Sequence, residues 1–319
     1  MKPPYSITGK ILKLVALISE KIGEVNAAHL SKPPTELRKK NRIKTIQSSL
    51  EIEGNTLSLE QITAIIENKR IIGPKKDILE VKNAIEVYNF LDKLNPYSFE
   101  SFCEAHRILM NGLIENAGKL RTTSVGIVKG SKITHIAPPS EMLQPLMNDL
   151  FAYLKSNDDL MLIKSCVFHY EMEFIHPFID GNGRIGRLWQ TLILKESYPV
   201  FEFLPVEALI KERQERYYEA LGKSDTTGES TLFIEFMLEI MLESLNDLLN
   251  IQHVSLLNID RINLYKSIVK EEYFSRKDYL KNFREISSAT ASRDLSFAVE
   301  NGIIEKYGDK NTTRYKYKT

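Results

Sequence analysis

The chain has 319 residues, 43% of them hydrophobic, with 43 lysines and arginines against 42 aspartates and glutamates. This length accommodates two or three domains with real cores. The formal net charge of +1 offers no global field to nucleic acid or an anionic membrane, so any such partner must be met locally.

Met1-Lys-Pro-Pro followed by Ile11-Leu-Lys-Leu-Val-Ala-Leu-Ile18 imitates a signal peptide, but Lys13 interrupts it and no small-residue cleavage site follows. No apolar run approaches the length of a membrane span. Cys103 and Cys166 sit in apolar helical stretches without metal-like spacing and read as small hydrophobes in a reducing compartment. The expected location is the cytoplasm.

Residues 6 to 24 place Ile7, Ile11, Leu14, Ile18 and Ile22 on one helical face, with Ser6 or Thr8 as cap. A second helix, about 34 to 50, is basic early through Arg38, Lys39, Lys40, Arg42 and Lys44, as solvated faces commonly are. It ends in Ser48-Ser49-Leu-Glu-Ile-Glu53-Gly54-Asn55. Ser49 and Glu53, four apart, share a face, and Gly54 is the residue expected just past a helix end. This reads as an ordinary terminus, yet a glutamate there meets the unfavourable end of the helix dipole and needs a partner elsewhere.

Thr56-Leu-Ser58 opens another helix, and residues 59 to 94 read as helices broken at Gly73-Pro74. A helix from about Ser98 to Leu113 leads to Gly118-Lys-Leu-Arg121. The period then changes: residues 123 to 137 alternate about Gly130-Ser131, a β-hairpin signal closed by Pro138 and Pro139. Such a hairpin is marginal alone and must lie against something.

Residues 160 to 174 carry apolar side chains three and four apart, as a buried helix does, and Pro177 ends or kinks that helix beside His176. Asp180-Gly-Asn-Gly183 forms a tight loop, and a second helix resumes from about Arg184. A glycine-rich loop opening a helix is a device for anions, because first-turn amides lack helical acceptors and the dipole's positive end faces outward. Gly181 and Gly183 permit close backbone approach and a concave nest of amides. Arg184 and Arg187 can both reach one phosphate chain. Asp180 suits magnesium, which keeps most of its waters and takes one or two protein oxygens. His176 can exchange protons near neutral pH. Singly, a histidine at a helix end is usually structural and Asp-Gly-Asn-Gly is a common turn. Together these residues supply a base, a metal ligand and a polyphosphate cradle.

Phe201 to Val206 and a helix from Ile210 to Leu221 follow, the latter with Tyr217-Tyr218, one of which is a candidate to stack on the flat ring of a ligand although helical aromatics usually serve the core. Residues 231 to 250 form a long amphipathic helix through Leu232, Phe233, Phe236, Met237, Ile240, Met241, Leu245, Leu248 and Leu249. From about Leu256 come three short helices, 260 to 271, 275 to 283 and 288 to 301, and a hairpin from Ile303 to Lys318, which look like a winged helix with Ser288-Ala-Thr-Ala-Ser-Arg-Asp-Leu resembling its recognition helix. Residues 256–319 hold 13 Lys and Arg against 9 Asp and Glu, so a phosphate-facing surface is modest, and Arg293 is the long cation of that helix. Winged helices also serve as protein-docking and dimer modules, which leaves a homodimer open.

His176-Pro-Phe-Ile-Asp-Gly-Asn-Gly-Arg-Ile-Gly-Arg187 resembles the signature of the Fic family of protein adenylyltransferases at every defining position, and the surrounding helices extend the resemblance over roughly residues 95 to 245. The implied fold is a mainly α Fic-type helical bundle with a small β-hairpin flap, here joined to a C-terminal winged helix. The implied chemistry has His176 deprotonate a target hydroxyl, which attacks the α-phosphate of ATP and releases pyrophosphate, with Asp180 as magnesium ligand. Gly181, Asn182 and Gly183 then form the anion hole, Ile185 and Gly186 continue the ATP-binding stretch, and Arg184 and Arg187 meet the β- and γ-phosphates. Relatives that transfer a γ-phosphate depart from the Gly-Asn-Gly core, which is intact here.

Ser49, Glu53 and Gly54 resemble the family's inhibitory motif, which implies that Glu53 pairs with Arg187 and blocks productive γ-phosphate placement; in some relatives that glutamate instead positions a water that removes AMP. The hairpin at 123–137 resembles the family's flap, which pairs with the target's backbone by strand addition; His135 on it reads as a wall residue. The expected organisation is an inhibitory helical region over 1–94, a catalytic core over 95–250 and a winged helix over 256–319. Two function classes follow: an autoinhibited adenylyltransferase using ATP and Mg2+, or a regulator whose winged helix binds DNA while the core senses nucleotide.

Overall fold

Thr8 decides where the first helix starts: its hydroxyl accepts the Ile11 amide, and α1 runs Gly9–Ala27. Ile11, Leu14, Ile18, Ile22 and Val25 are buried. Ile7 lies ahead of the cap and is 49% exposed, so it does not join the face that periodicity assigned to it.

The computed structural model describes residues 3–28, 30–123, 126–129, 132–156, 159–250, 258–269, 273–283, 286–309 and 312–318. It divides into two units, Met1–Pro33 with Leu37–Asn250, and Pro34–Glu36 with Ile251–Thr319.

In the first unit α1 is followed by α2 (Thr35–Ile52), α3 (Leu59–Ile66), α4 (Lys75–Phe90) and α5 (Phe99–Leu109). A capping box of Ser58 and Gln61 fixes the start of α3. The helix predicted to reach Leu113 stops at Leu109, because Met110 caps it and Gly112 turns the chain in the left-handed region at φ 70°. Strands β1 (Gly126–Lys129) and β2 (Lys132–Ile136) pair antiparallel, Lys129 opposite Lys132, with an irregularity between Ile127 and Val128. The predicted Gly130-Ser131 connection and the His135 side chain lie outside the described residues.

Then come α6 (Leu143–Lys155), α7 (Met161–Ile175), α8 (Asn182–Ser197), α9 (Val206–Glu212), α10 (Gln214–Thr227) and α11 (Thr231–Asn250). α7 and α8 pack on each other at the centre, and α11 covers both α1 and α7. Trp189 on α8 is fully buried against Phe102, ring centroids 5.1 Å apart and edge-on, and its indole donates to Pro96 O at 3.1 Å. Residues from Ile11 on α1 to Leu248 on α11 share this one core, so the N-terminal helices are built into the same body as the loop of His176. Leu232 is 39% exposed and Ile234 takes its place inside. Cys166 is buried and Cys103 half-buried; both are free thiols, and burial pushes them up to about 12 and about 11. Among the described residues no helix is long and apolar enough to cross a membrane.

The second unit has its own small core, in which Ile262, Tyr265, Phe274, Tyr279, Leu295 and Tyr317 meet. Its helices are α12 (Asn258–Val269), α13 (Arg276–Asn282) and α14 (Ser288–Glu300), and β3 (Ile304–Tyr307) pairs antiparallel with β4 (Arg314–Tyr317). Phe274 adds a single bridge to Tyr315 at the edge of that hairpin. Arg261 and Asp294 form a buried two-point ion pair at 2.6 and 2.7 Å, which ties α12 to α14.

Candidate active site

α7 and α8 approach closely because Gly186 has no side chain: a Cβ there would collide with the Met172 methyl and come within 3.1 Å of Glu173 Oε1. α7 ends at Ile175, and His176 caps it in the left-handed region at φ 49°, ψ 59°, with its amide on Met172 O at 3.0 Å. A non-glycine residue holds that conformation only when its surroundings impose it. Among the groups that hold it is Arg121, 2% exposed, whose Nε donates to His176 O at 2.8 Å and whose amide donates to Pro177 O at 2.9 Å.

Asn182 secures the loop between the helices. Its Oδ1 accepts the Phe178 amide at 3.0 Å and its Nδ2 donates to Phe178 O at 2.9 Å, so the side chain braces the turn. His106 supports the loop from beneath. Its ring stacks on Phe178 at 3.6 Å and 10°, Nε2 lies 2.8 Å from Asp180 O, and Nδ1 accepts the Gly118 amide at 2.9 Å. A carbonyl only accepts and an amide only donates, so His106 is the Nε2–H tautomer. Burial pushes it down to about 4, which keeps it neutral. Gly181 must be glycine on two counts: its φ is 86°, and a Cβ would meet Met110 Sδ at 2.6 Å.

α8 begins at Asn182, two residues before the predicted start, because left-handed Gly181 caps it and Ile185 N–H reaches Gly181 O at 3.0 Å. The amides of Asn182, Gly183 and Arg184 precede that first bond and have no acceptor within the helix, the arrangement by which helix N-termini suit anions.

The two arginines are held differently. Arg184, 4% exposed, donates NH1 to Glu80 Oε1 at 2.9 Å and NH2 to Asp180 Oδ1 at 3.0 Å. Glu80 Oε2 in turn accepts Asn55 Nδ2 at 2.8 Å. Arg187, 2% exposed, donates Nε to Ser49 Oγ at 3.1 Å and NH2 to Ser49 O and Glu53 Oε1 at 2.9 and 2.8 Å. Glu53 also fills the space beside Gly183, where a Cβ would collide with Oε1. Gly54, at φ 90°, turns the chain directly after. Two further bonds fix this end of α2: Gln214 Nε2 to Ile52 O at 3.2 Å and Thr56 N to Asp77 Oδ2 at 2.8 Å.

More acids surround Arg187 than its ion pair uses. Burial pushes Glu173 up to about 8 against the pull of Arg187, and Glu53 adds to the rise. Burial likewise lifts Glu207 to about 7. For Arg187 burial works against the charge, and Glu53, Tyr217 and Glu173 together more than offset it, so the guanidinium stays firmly protonated.

Tyr217 is 1% exposed, with its hydroxyl 3.1 Å from His169 Nε2, and belongs to the core. Tyr218, 37% exposed, has open surface.

Asp180 has a side chain 47% exposed beside the open amides, with both of its contacts, from Gly181 N and Arg184 NH2, on Oδ1. Among the described residues no group of three or more His, Cys, Asp or Glu side chains could hold a metal by itself. A half-exposed single carboxylate fits a hydrated divalent cation that takes its other ligands from water and phosphate.

Sequence reading missed Glu80 and His106 and gave Arg121 no role. Their partners lie 104, 74 and 55 positions away, and only Arg121, standing just before the hairpin, carried a local cue.

The sequence profile of the Fic/DOC family matches residues 96–194. Protein adenylyltransferase Fic of Nematostella vectensis is 31% identical over 245 residues, which cover 72% of this chain and 55% of that protein. Protein adenylyltransferase fic-1 of Caenorhabditis elegans is 32% identical over 205 residues, covering 60% and 38%. The chain thus spans about half or less of the length of these curated relatives. A crystal structure of a Fic family protein from Desulfovibrio desulfuricans G20 matches at a TM-score of 0.77 and 38% identity over 100% of this chain and 98% of that one. A match end to end in fold at 38% identity, with a family profile whose span takes in the loop from His176 to Arg187, establishes that the chain belongs to the Fic/DOC family.

Proposed function

We propose that this chain is a protein adenylyltransferase that moves AMP from ATP to a hydroxyl side chain of a protein and is restrained by Glu53. The observation that carries the reading is one loop that joins His176 to the open first turn of α8, so that a proton acceptor and an anion receptor sit a few residues apart. In the proposed step the His176 imidazole takes the proton of the target hydroxyl, the oxygen bonds to the α-phosphorus, and the bond to pyrophosphate breaks. The amides of Asn182, Gly183 and Arg184 face the phosphate charge. Mg2+, held by Asp180 with the nucleotide's own oxygens, would neutralise that charge. Glu53, 2.8 Å from Arg187 and against Gly183, occupies space and charge that a γ-phosphate needs. The same placement supports a reverse activity, in which Glu53 orients water to remove AMP.

The test uses α-labelled ATP with Mg2+ on the parent protein, Glu53→Gly and Glu53→Gly/His176→Ala. Label should appear on protein, rise with the first change and fall with the second by roughly a hundredfold to ten-thousandfold. Absence of label from all three, with added candidate targets included, overturns the reading.

A second reading concerns residues 258–318. Three helices with a bridged hairpin support a winged-helix module, and α14 exposes Ser288, Ala289, Arg293 and Ser296 along one side. A salt-sensitive complex with duplex DNA that persists in His176→Ala would make it a DNA-binding element.

A further inference from the structure

Arg121 is buried to 2% exposure, and every acceptor around its guanidinium in the hydrogen bonds seen here is a backbone carbonyl. Nε donates to His176 O at 2.8 Å and NH2 to Ile175 O at 3.3 Å, both at the end of α7. NH1 donates to Thr123 O at 2.7 Å and NH2 to Pro138 O at 2.6 Å. Thr123 lies just before β1 and Pro138 just after β2, so these two carbonyls are the roots of the hairpin. One planar fork therefore grips both ends of the hairpin and the backbone of His176 at the same time.

Five fixed donors in one plane suit this task and an ammonium does not, since a lysine is a point charge on a flexible stem. A buried cation is costly to desolvate and is retained where its hydrogen bonds do something specific. Moreover, His176 is held in the left-handed region by its neighbours, and its carbonyl is one that Arg121 fixes.

We propose that Arg121 is a positioning residue that seats the flap hairpin and the catalytic histidine as one unit, so that a backbone paired with the hairpin delivers its hydroxyl in register with the base. This rests on the adenylyl-transfer reading above for its catalytic consequence. The seating itself is independent of it. A tie of this kind works through alignment, and misplacement by about 1 Å costs on the order of a hundredfold in rate.

The test places Arg121→Lys and Arg121→Ala in the Glu53→Gly background of the full chain. Three quantities are read: single-turnover labelling from α-labelled ATP, affinity for ATP with Mg2+ by calorimetry, and hydrogen exchange of the amides in Gly126–Lys129 and Lys132–Ile136. Expected are a fall in labelling of roughly tenfold or more in Arg121→Ala, a smaller fall in Arg121→Lys, ATP affinity unchanged within about twofold, and faster exchange in the hairpin while α8 stays protected. Unchanged exchange in the hairpin overturns the seating, and an ATP affinity that falls in step with labelling shows that Arg121 acts through the phosphate cradle instead. If Arg121→Ala does not fold, Arg121→Lys decides by the same readouts. If the Glu53→Gly parent does not label, it is the adenylyl-transfer reading that has failed, and hydrogen exchange alone still decides the seating.

Discussion

Arg184 and Arg187 stand one turn apart on the same helix, are equally buried, and yet live under different arrangements. Arg184 is bound to Glu80 in the middle of α4 and to Asp180 in its own loop, both at hydrogen-bond distance, and these are its ion pairs among the described residues. Arg187 is bound to the terminus of α2, where Glu53 is 30% exposed, and two further buried carboxyls, Glu173 and Glu207, interact with its charge while burial raises them to about 8 and about 7. The first arginine is fixed in the frame. The second is coupled to two more acids that burial raises, Glu173 to about 8 and Glu207 to about 7, and Glu53 adds to the rise of Glu173, so removing Glu53 should let Glu173 ionise more readily. A buried cation with alternatives can be released at small cost, whereas one without them cannot.

The sharpest way to break this comparison is to remove each arginine's acid in turn. Glu80→Ala leaves Arg184 short of its buried partner and should cost about 3–5 kcal/mol, a fall in melting temperature on the order of 10 °C for a unit of this size. Glu53→Ala should cost less than about 2 kcal/mol, since Ser49 still accepts two bonds and Glu173 or Glu207 can take over the charge. Equal losses in thermal unfolding would erase the distinction.

A medium effect tests the spare acids directly. Glu173 sits near 4.5 when unfolded and at about 8 when folded, so between those values the folded chain binds the extra proton and stability falls as pH rises, the loss being complete above about 8. Glu173→Gln cannot ionise. Its melting temperature should gain on the parent as pH goes from about 6 to about 8.5 and level off beyond; parallel curves would mean that Glu173 does not titrate on folding. Glu207 contributes the same sign in both proteins and cancels.

The smallest effect is Ser49→Ala, which deletes the hydroxyl that meets Arg187 Nε but leaves the carbonyl bond, and should cost about 0.5–1.5 kcal/mol in chemical denaturation. A loss as large as that of Glu80→Ala would show that Arg187 is as rigidly framed as Arg184.

Much of the architecture was legible because local signals carried it. Thr8 and Ser58 cap where a short polar side chain precedes an apolar period, and the change to a two-residue period before Pro138 announced β1 and β2. The loop was legible because its residue types each answer a chemical need within twelve positions. Its supports were not. His106 and Glu80 drew no reading of their own, since nothing near them in the sequence marks them; their roles show only where they meet Asp180 and Arg184. The helix start at Asn182 was misplaced for a related reason: the cap is the left-handed Gly181 backbone, which leaves no side-chain mark to read. Tyr217 could not be placed from sequence because an aromatic at helical spacing looks the same whatever it packs against; in the fold its hydroxyl lies 3.1 Å from His169 Nε2.

The Glu53–Arg187 pair joins residues 134 apart within one core. Because both partners belong to the same chain, their mutual local concentration is set by the fold and does not fall on dilution. Any molecule that needs the face of Arg187 therefore competes with a tethered carboxylate, and it must do so equally in a crowded cell and in a dilute tube. Only a ligand that outbids that carboxylate in charge, or a change that moves the end of α2, alters the balance.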